Sequence, residues 1–270
     1  MSNPILLPDR ALLAIFGEER FSFLNTLLSA DVSEGVGDVR YAALLSPQGK
    51  LLADVLCLTE AEPERIIVEY PADSDFAKRL RMYKLRAAVT LEALEDWRVA
   101  VALDAPPKDA AVTFADPRDP QLGFRAYGPS ASFTADGNRA LYDAARIAAV
   151  VPEGSTDLEP NKALLLENGF ERLSGVDFRK GCFVGQEVTA RMKYRNLGKK
   201  RLMAVSRDDG GLETGTTIMA GERTAGTVLS AVGGSALALM RHEFSAHTLT
   251  LGDSSAVQIM ADPDAPNVAP

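Results

Sequence analysis

Cysteine and histidine are scarce in this 270-residue chain, with two of each, and there is a single tryptophan. Two cysteines, Cys57 and Cys182, cannot build a disulfide framework, and alone they are too few to hold a zinc ion or an iron–sulfur cluster. No apolar run approaches the roughly 18 residues a membrane helix needs, so no membrane span is expected. Met1 to Arg10 has neither the basic start nor the long apolar stretch of a secretory signal. With so few cysteines, that points to a soluble protein of a reducing compartment.

Several catalytic signatures are missing as well. There is no phosphate-cradling G-x-x-x-x-G-K-[ST] loop, Gly35-x-Gly37 lacks the third glycine of a dinucleotide fingerprint, and no G-x-S-x-G elbow occurs. His242-Glu243 with His247 is one residue too widely spaced for a zinc-protease helix. At 3.6 residues per turn the second ring would point about 140° away from the first. No metal site is expected. Both histidines lie near the C-terminus, so a Cys–His nucleophile pair has no local support.

What is present is ordinary globular material, with 46% hydrophobic and 24% charged residues. The length suits two domains or three small ones. Ala11 to Phe16 reads as a strand closed by Gly17. Glu18 to Ser29 reads as a helix with Phe21, Leu24, Leu27 and Leu28 on one face. Tyr41–Leu45 and Leu51–Leu58 are apolar runs joined by Ser46-Pro47-Gln48-Gly49, a turn sequence that predicts a hairpin. Ile66–Tyr70 is a further strand, and Ser74 can cap a helix running to about Arg86. Val89–Leu94 and Trp97–Leu103 are expected to close this first α+β unit.

Residues 104–120 hold four prolines and read as a connection with at most one short strand, near Val112 to Phe114. Gly123–Tyr127 is a strand candidate. Asn138–Val150 is a helix capped by Asp136 or Asn138, with Leu141, Ala145 and Ala148 facing inward. After Pro152-Glu153-Gly154 the pattern is irregular as far as Gly181. From Lys200 the texture changes to six short aliphatic strands separated by turn glycines, which predicts a small β-barrel or sandwich. The tail from Ala261 to Pro270 has little that could pack and is expected to be disordered. The expected partition is 1–103, 104–199, 200–260 and the tail 261–270.

The net charge of −8 conceals a local reversal. Arg179 to Arg201 contains eight basic residues and one acid, Glu187, so this segment carries +7. It is either a solvated basic face or an anion site for a carboxylate-rich or phosphate-bearing ligand. The run follows Lys180-Gly181-Cys182-Phe183-Val184-Gly185-Gln186-Glu187. Gly181 and Gly185 permit unusual backbone or close approach of a ligand, and a helix should begin near Gln186. Beside Arg179 and Lys180, Cys182 is either a reactive thiol whose thiolate is favoured electrostatically or a buried structural cysteine. Cys57, inside Val55-Leu56-Cys57-Leu58, reads as core.

This octapeptide resembles the signature of the YgfZ family, folate-binding proteins related to the T-protein (aminomethyltransferase) of the glycine cleavage system. The resemblance continues through Val188-Thr189-Ala190-Arg191 to Arg201-Leu202. Upstream it includes Leu173-Ser174-Gly175-Val176-Asp177-Phe178, Arg146-Ile147 through Pro152-Glu153, Leu44 to Asp54, and Phe23-Leu24-Asn25 to Asp31-Val32. It implies an α+β fold: two ferredoxin-like α+β units forming a folate pocket, then a C-terminal β-barrel. It also implies tetrahydrofolate as cofactor and a part in assembling or repairing [4Fe–4S] proteins, with tRNA modification downstream in some bacteria. Partners would then be iron–sulfur client or assembly proteins, without a membrane and without direct nucleic-acid binding.

By the same resemblance Cys182 is the functional cysteine, and Asp54, Tyr142, Gly181, Gly185, Gln186, Glu187 and Arg191 are the folate-facing set. Tyr142 falls where some relatives carry an aromatic beside the folate, and Arg10 where another has tryptophan. The T-protein has two adjacent acids where this chain has Ala53-Asp54, and an acid where it has Cys182. The main alternative is a folate-dependent one-carbon transferase anchored on Asp54. A third reading is a docking module for protein or tRNA. The family spans bacteria and mitochondria, and without an Arg-rich presequence a bacterial cytoplasm is expected.

Overall fold

A computed structural model describes residues 3–32, 35–133, 137–208 and 210–265. The chain opens with β1 (Ile5–Leu6), β2 (Arg10–Phe16), α1 (Arg20–Leu27), β3 (Val39–Leu45) and β4 (Leu51–Ala61). It continues through β5 (Glu64–Pro71), α2 (Phe76–Lys84), β6 (Thr90–Ala93), β7 (Trp97–Ala102), β8 (Val112–Ala115) and β9 (Phe124–Pro129). Then come α3 (Arg139–Ala148), α4 (Gln186–Tyr194), β10 (Lys200–Ser206), β11 (Thr217–Ala220) and β12 (Arg223–Val232). β13 (Ser235–Arg241), β14 (Leu249–Thr250) and β15 (Ala256–Ala261) complete the order.

Three antiparallel sheets result: β3-β4-β5-β2-β6, β1-β7-β9-β8, and a closed barrel β10-β13-β12-β11-β14-β15. The hairpin forms as its turn residues predict. Gly49 N donates to Ser46 O at 2.8 Å, and Gly49 takes a φ of +70°, which a glycine accepts without strain. One face of the first sheet packs against α1 and α2 through Leu13, Phe23, Leu24, Phe76 and Leu80. A second core places Tyr41, Leu56 and Ile67 with Val99, Tyr127, Tyr142 and Phe170. The barrel has its own interior, and α3 rests on its outside through Ile147 and Val150 against Leu202 and Leu237.

Two expectations change. β7 does not close the first sheet. It pairs with β1 and β9, because Val99 to Ala102 is buried and needs a strand on each side, while β6 already covers the edge of β2. In α3 the buried residues are Tyr142, Arg146 and Ile147, whereas Leu141 is 53% exposed and Ala148 faces solvent. Arg146 turns inward because Asp143 and Asp157 wait for it at 2.7 and 2.5 Å, so ion pairing rather than hydropathy sets the face. Asn138 caps α3, accepting from Ala140 N at 3.0 Å; the other cap candidate, Asp136, lies outside the described residues. The tail is tied down at its start, with Asp262 2.5 Å from Arg201 and Asp264 3.5 Å from Arg172; residues 266–270 lie outside the described ones.

Candidate functional site

The sequence-predicted residues occupy two separate places. Cys182 sits on the loop leading into α4, exposed to solvent, and its two neighbours in the motif hold that loop from either side. Lys180 Nζ donates to Leu28 O at 2.8 Å, Ala30 O at 2.9 Å and Asn25 Oδ1 at 3.4 Å, capping the end of α1 with a cation. Burial pushes the Lys180 ammonium down to about 8, against the opposing pull of Asp31 and Asp177. Phe183 is buried in the second core. Lys180 therefore spends its charge on carbonyls, and Arg179 pairs with Asp177 at 3.5 Å, so neither is aimed at Cys182 as the local charge suggested.

The two motif glycines differ. Gly185 has a φ of +81° and begins α4, and a Cβ there would lie 2.6 Å from Ser46 O and 2.9 Å from Leu45 Cβ. It lets the helix start press on the β3–β4 turn, where a Cβ on Gly49 would meet Val188 at 2.7 Å. Gly181 has nothing within 4 Å and no positive φ, so neither packing nor backbone requires glycine there. Gln186 is half-buried at the first turn of α4. Glu187 and Arg191 pair with each other at 2.7 Å on its exposed face. Cys57 is buried in the first core and its thiol is pushed up to about 12 by desolvation.

Asp54 and Tyr142 lie elsewhere, in a buried lattice of charges between the first two sheets. Arg10 donates to Asp54 Oδ1 at 2.9 Å and to Glu69 Oε1 at 2.7 Å. Arg125 reaches Glu69 at 2.8 Å, Asp116 at 3.1 Å and the Tyr142 hydroxyl at 2.9 Å. Arg118 holds Asp116 at 2.8 Å and also donates to Tyr142, whose hydroxyl donates to Glu153 at 2.5 Å. Burial alone would raise Glu153, but Arg125, Arg118 and Arg10 outweigh it and hold the carboxyl well below its usual range. Asp116 is held down to about 2 in the same way, chiefly by Arg118. Tyr142 is fully enclosed and presents no ring face to solvent. Among the described residues no hydrogen bond or ion pair joins motif residues 180–187 to Asp54 or Tyr142.

Three buried polar atoms of this region have no hydrogen-bond partner: Asp54 Oδ2, the Tyr41 hydroxyl, and Glu153 Oε1, which has only longer ion-pair contacts to Arg125 at 3.8 Å and Arg10 at 3.9 Å. Asp54 lines a cavity of about 10 Å³ beside Gly154, Ser155 and Asp73. That cavity shares Leu52, Asp73, Ser74 and Pro160 with an outer cleft of about 240 Å³. Ser155 Oγ donates to Asp73 Oδ1 at 2.6 Å across the narrows. For a reduced folate, the donor chemistry fits: an orphaned, fully buried carboxylate oxygen is what the N–H edge of a pterin pairs with. The inner space takes one water-sized group, so a pterin could reach Asp54 only after the Asp73–Ser155 contact opens.

Sequence reading passed over Glu69, Asp116, Arg118 and Arg125. The available signal was a lone charge inside an apolar strand, as in Ile66–Tyr70 and Gly123–Tyr127. His242 and His247 serve locally: His242 Nε2 contacts Gly198 O at 3.2 Å, and the His247 ring packs edge-on against Phe244. No group of three or more His, Cys, Asp or Glu side chains suited to a metal occurs among the described residues, and no described helix is long and apolar enough to cross a membrane.

This arrangement of two sheets and a barrel is that of the aminomethyltransferase T-proteins. The crystal structure of glycine cleavage system aminomethyltransferase T from Bartonella henselae superposes with a TM-score of 0.75, covering 97% of this chain and 86% of that one at 15% identity. At that identity the likeness is one of fold. A family model described as the CAF17 C-terminal beta-barrel domain matches residues 199–265. The Mycosarcoma maydis iron-sulfur cluster assembly factor IBA57 homolog, mitochondrial, is 32% identical over 74% of this chain and 56% of its own length. The Pyricularia oryzae homolog is 29% identical over 73% and 55%. Human iron-sulfur cluster assembly factor IBA57, mitochondrial, is 29% identical over 94% of this chain and 81% of its own. The chain thus spans a little over half the length of the two fungal relatives. Its likeness is thus to the YgfZ/IBA57/CAF17 family. The expectation of a bacterial cytoplasm is overturned, since these relatives are all mitochondrial by name.

Proposed function

We propose that this chain is an accessory factor in the assembly or repair of [4Fe–4S] proteins, with Cys182 as its functional thiol. The observation that carries the reading is the thiol's setting: exposed, on a loop anchored by Lys180 on one side and Phe183 on the other. One thiolate cannot hold a cluster, so Cys182 supplies one ligand and the client or assembly partner supplies the rest. The names of the relatives support the iron–sulfur assignment, and failure of tRNA-modifying enzymes would be a downstream effect of lost clusters. In the same proposal the chain divides at 1–103, 104–199 and 200–260, with β1 and β7 of the first segment contributed to the second sheet.

Tetrahydrofolate is the proposed cofactor on the strength of the likeness to that family and of Asp54 Oδ2. When bound it supplies a reduced pterin that can carry a one-carbon unit. Asp54 would accept from its N–H edge, and Arg10 would hold the carboxylate in place. Tyr142 and the motif residues would shape the site indirectly. The orphaned Asp54 oxygen also favours a second reading, a folate-dependent one-carbon transferase.

Complementation tests the proposal. In cells lacking the native gene, wild-type protein should restore a [4Fe–4S] enzyme and Cys182→Ala at equal abundance should not. Restoration by both would make Cys182 dispensable. Turnover of a methylated amine that survives Cys182→Ser but not Asp54→Asn would favour the transferase.

A further inference from the structure

The +7 segment does not act as one basic face, because the fold neutralises most of it in place. Arg191 pairs with Glu187, Lys193 with Glu171, Arg201 with Asp262 and Arg179 with Asp177, and Lys180 is committed to carbonyls. Three exposed side chains have no ion pair among the described residues: Arg195, Lys199 and Lys200. They cluster at the exit of α4, beside a groove of about 580 Å³ between α4, the Leu166–Asn168 turn and the barrel.

The groove walls carry several cations. Arg172 lines it with its Nε 3.5 Å from Asp264 Oδ1, and Arg201 lines it paired with Asp262 while its buried Nε has no hydrogen-bond partner. Lys200 and His242 line it as well, so cationic and titratable groups outnumber Glu171 and Asp264. Two large side chains of the same stretch are exposed: Tyr194, 76% exposed with its ring edge-on to Phe178, and Leu197, 48% exposed. A volume of this size is within the range of specific binding sites, and aromatic side chains and arginine are enriched at interfaces, while lysines belong to their polar rim.

We infer that the surface at the exit of α4, from Lys200 inside the groove to Arg195 and Lys199 next to its lining residues in sequence, docks an acidic, extended segment of a partner protein by its carboxylates, with an apolar residue against Tyr194 and Leu197 outside the groove. The chain as a whole is acidic, so an acidic partner is repelled elsewhere and steered to this patch. α4 runs from the Cys182 loop at its start to the groove at its end, so a client held here would have to extend along this nine-residue helix, about 13 Å, to meet the thiol. Only that last step rests on the proposed function; docking itself does not.

The probe is a fluorescein-labelled dodecapeptide of glutamates with two central leucines, followed by anisotropy with the full-length protein. Binding should weaken as salt rises, since at about 0.1 M the screening length falls to about 10 Å. The double substitution Lys199→Glu/Lys200→Glu should weaken it about tenfold or more, roughly 1.4 kcal/mol per factor of ten. Lys78→Glu/Lys108→Glu, which alters the same net charge on other surfaces, should leave it unchanged. Tyr194→Ala/Leu197→Ser should weaken the leucine-containing peptide but not an all-glutamate one, with circular dichroism confirming that each variant is folded.

Equal losses from both charge-reversal pairs would overturn the inference, as would no binding at low salt. A single-stranded RNA that binds more tightly and displaces the peptide would replace it with nucleic-acid docking. If peptide binding behaves as expected but Cys182→Ala still complements, the docking surface stands and the proposed role of the thiol falls.

Discussion

Lys180 shows how one side chain sets the chemistry of its neighbours. Its ammonium satisfies two carbonyls at the end of α1 and so fixes where Cys182 emerges. Lys180→Met leaves both acceptors without this donor and should cost about 1–3 kcal/mol in urea unfolding. The pH dependence has a definite sign. Burial brings the folded value to about 8 from the ordinary 10.5, so between these the unfolded chain binds more protons. Wild-type stability should therefore gain a rising contribution with pH across that window, and Lys180→Met should lose it. An identical pH slope in the variant would refute this titration. Gly154 is a second decisive residue: a Cβ there would lie 1.9 Å from Asp54 Oδ1 and 2.8 Å from Pro71 Cγ. Gly154→Ala should destabilise by about 1–3 kcal/mol, as overpacking does, and thermal melting would read it.

At the scale of elements, the start of α4 separates two glycines that look equivalent in the motif. Gly185→Ala combines a positive φ with contact on the β3–β4 turn and should cost about 2–4 kcal/mol; Gly181→Ala, facing open space, should stay within about 0.5 kcal/mol of wild type. Parallel denaturation curves would contradict that distinction. The contrast marks what was legible in the chain. The hairpin at Ser46–Gly49 and the six barrel strands could be read directly, because β3–β4, β11–β12, β12–β13 and β14–β15 pair across short glycine-containing turns, although β10 reaches over to β13 and β15. The partner of β7 could not, because β1 and β9 lie far from it in sequence on one side and beyond a proline-rich connection on the other. The inner face of α3 was misread because Arg146 is buried and Leu141 is not. The Cys182 motif was recognisable from its residues, yet the placement of Asp54 behind Arg10 depended on contacts 44 residues apart.

At the scale of the molecule, the arginine–carboxylate lattice joins units that the hydrophobic clusters alone would leave less firmly oriented. Arg10 on β2, Asp54 on β4 and Glu69 on β5 belong to the first sheet; Arg125 on β9 belongs to the second; Tyr142 brings in α3. A buried network of this kind is costly to assemble and more costly to break, because each lost partner strands a charge away from water. Arg125→Met removes one donor from Glu69, Asp116 and Tyr142 together and should lose about 3–5 kcal/mol. Acid should act on the same lattice. Asp116 is held down to about 2 from 3.8, and Glu153 lies below its usual range, so both contribute stability above their ordinary values and lose it as pH falls through the folded ones. The wild type should remain folded when pH first drops below about 4 and unfold cooperatively nearer 2, with far- and near-ultraviolet circular dichroism changing together. Arg125→Met weakens the field that depresses both carboxyls, so its acid transition should move to higher pH. A transition that stays in place would mean that these carboxylates contribute no pH-dependent stability, and that apolar packing alone joins the sheets.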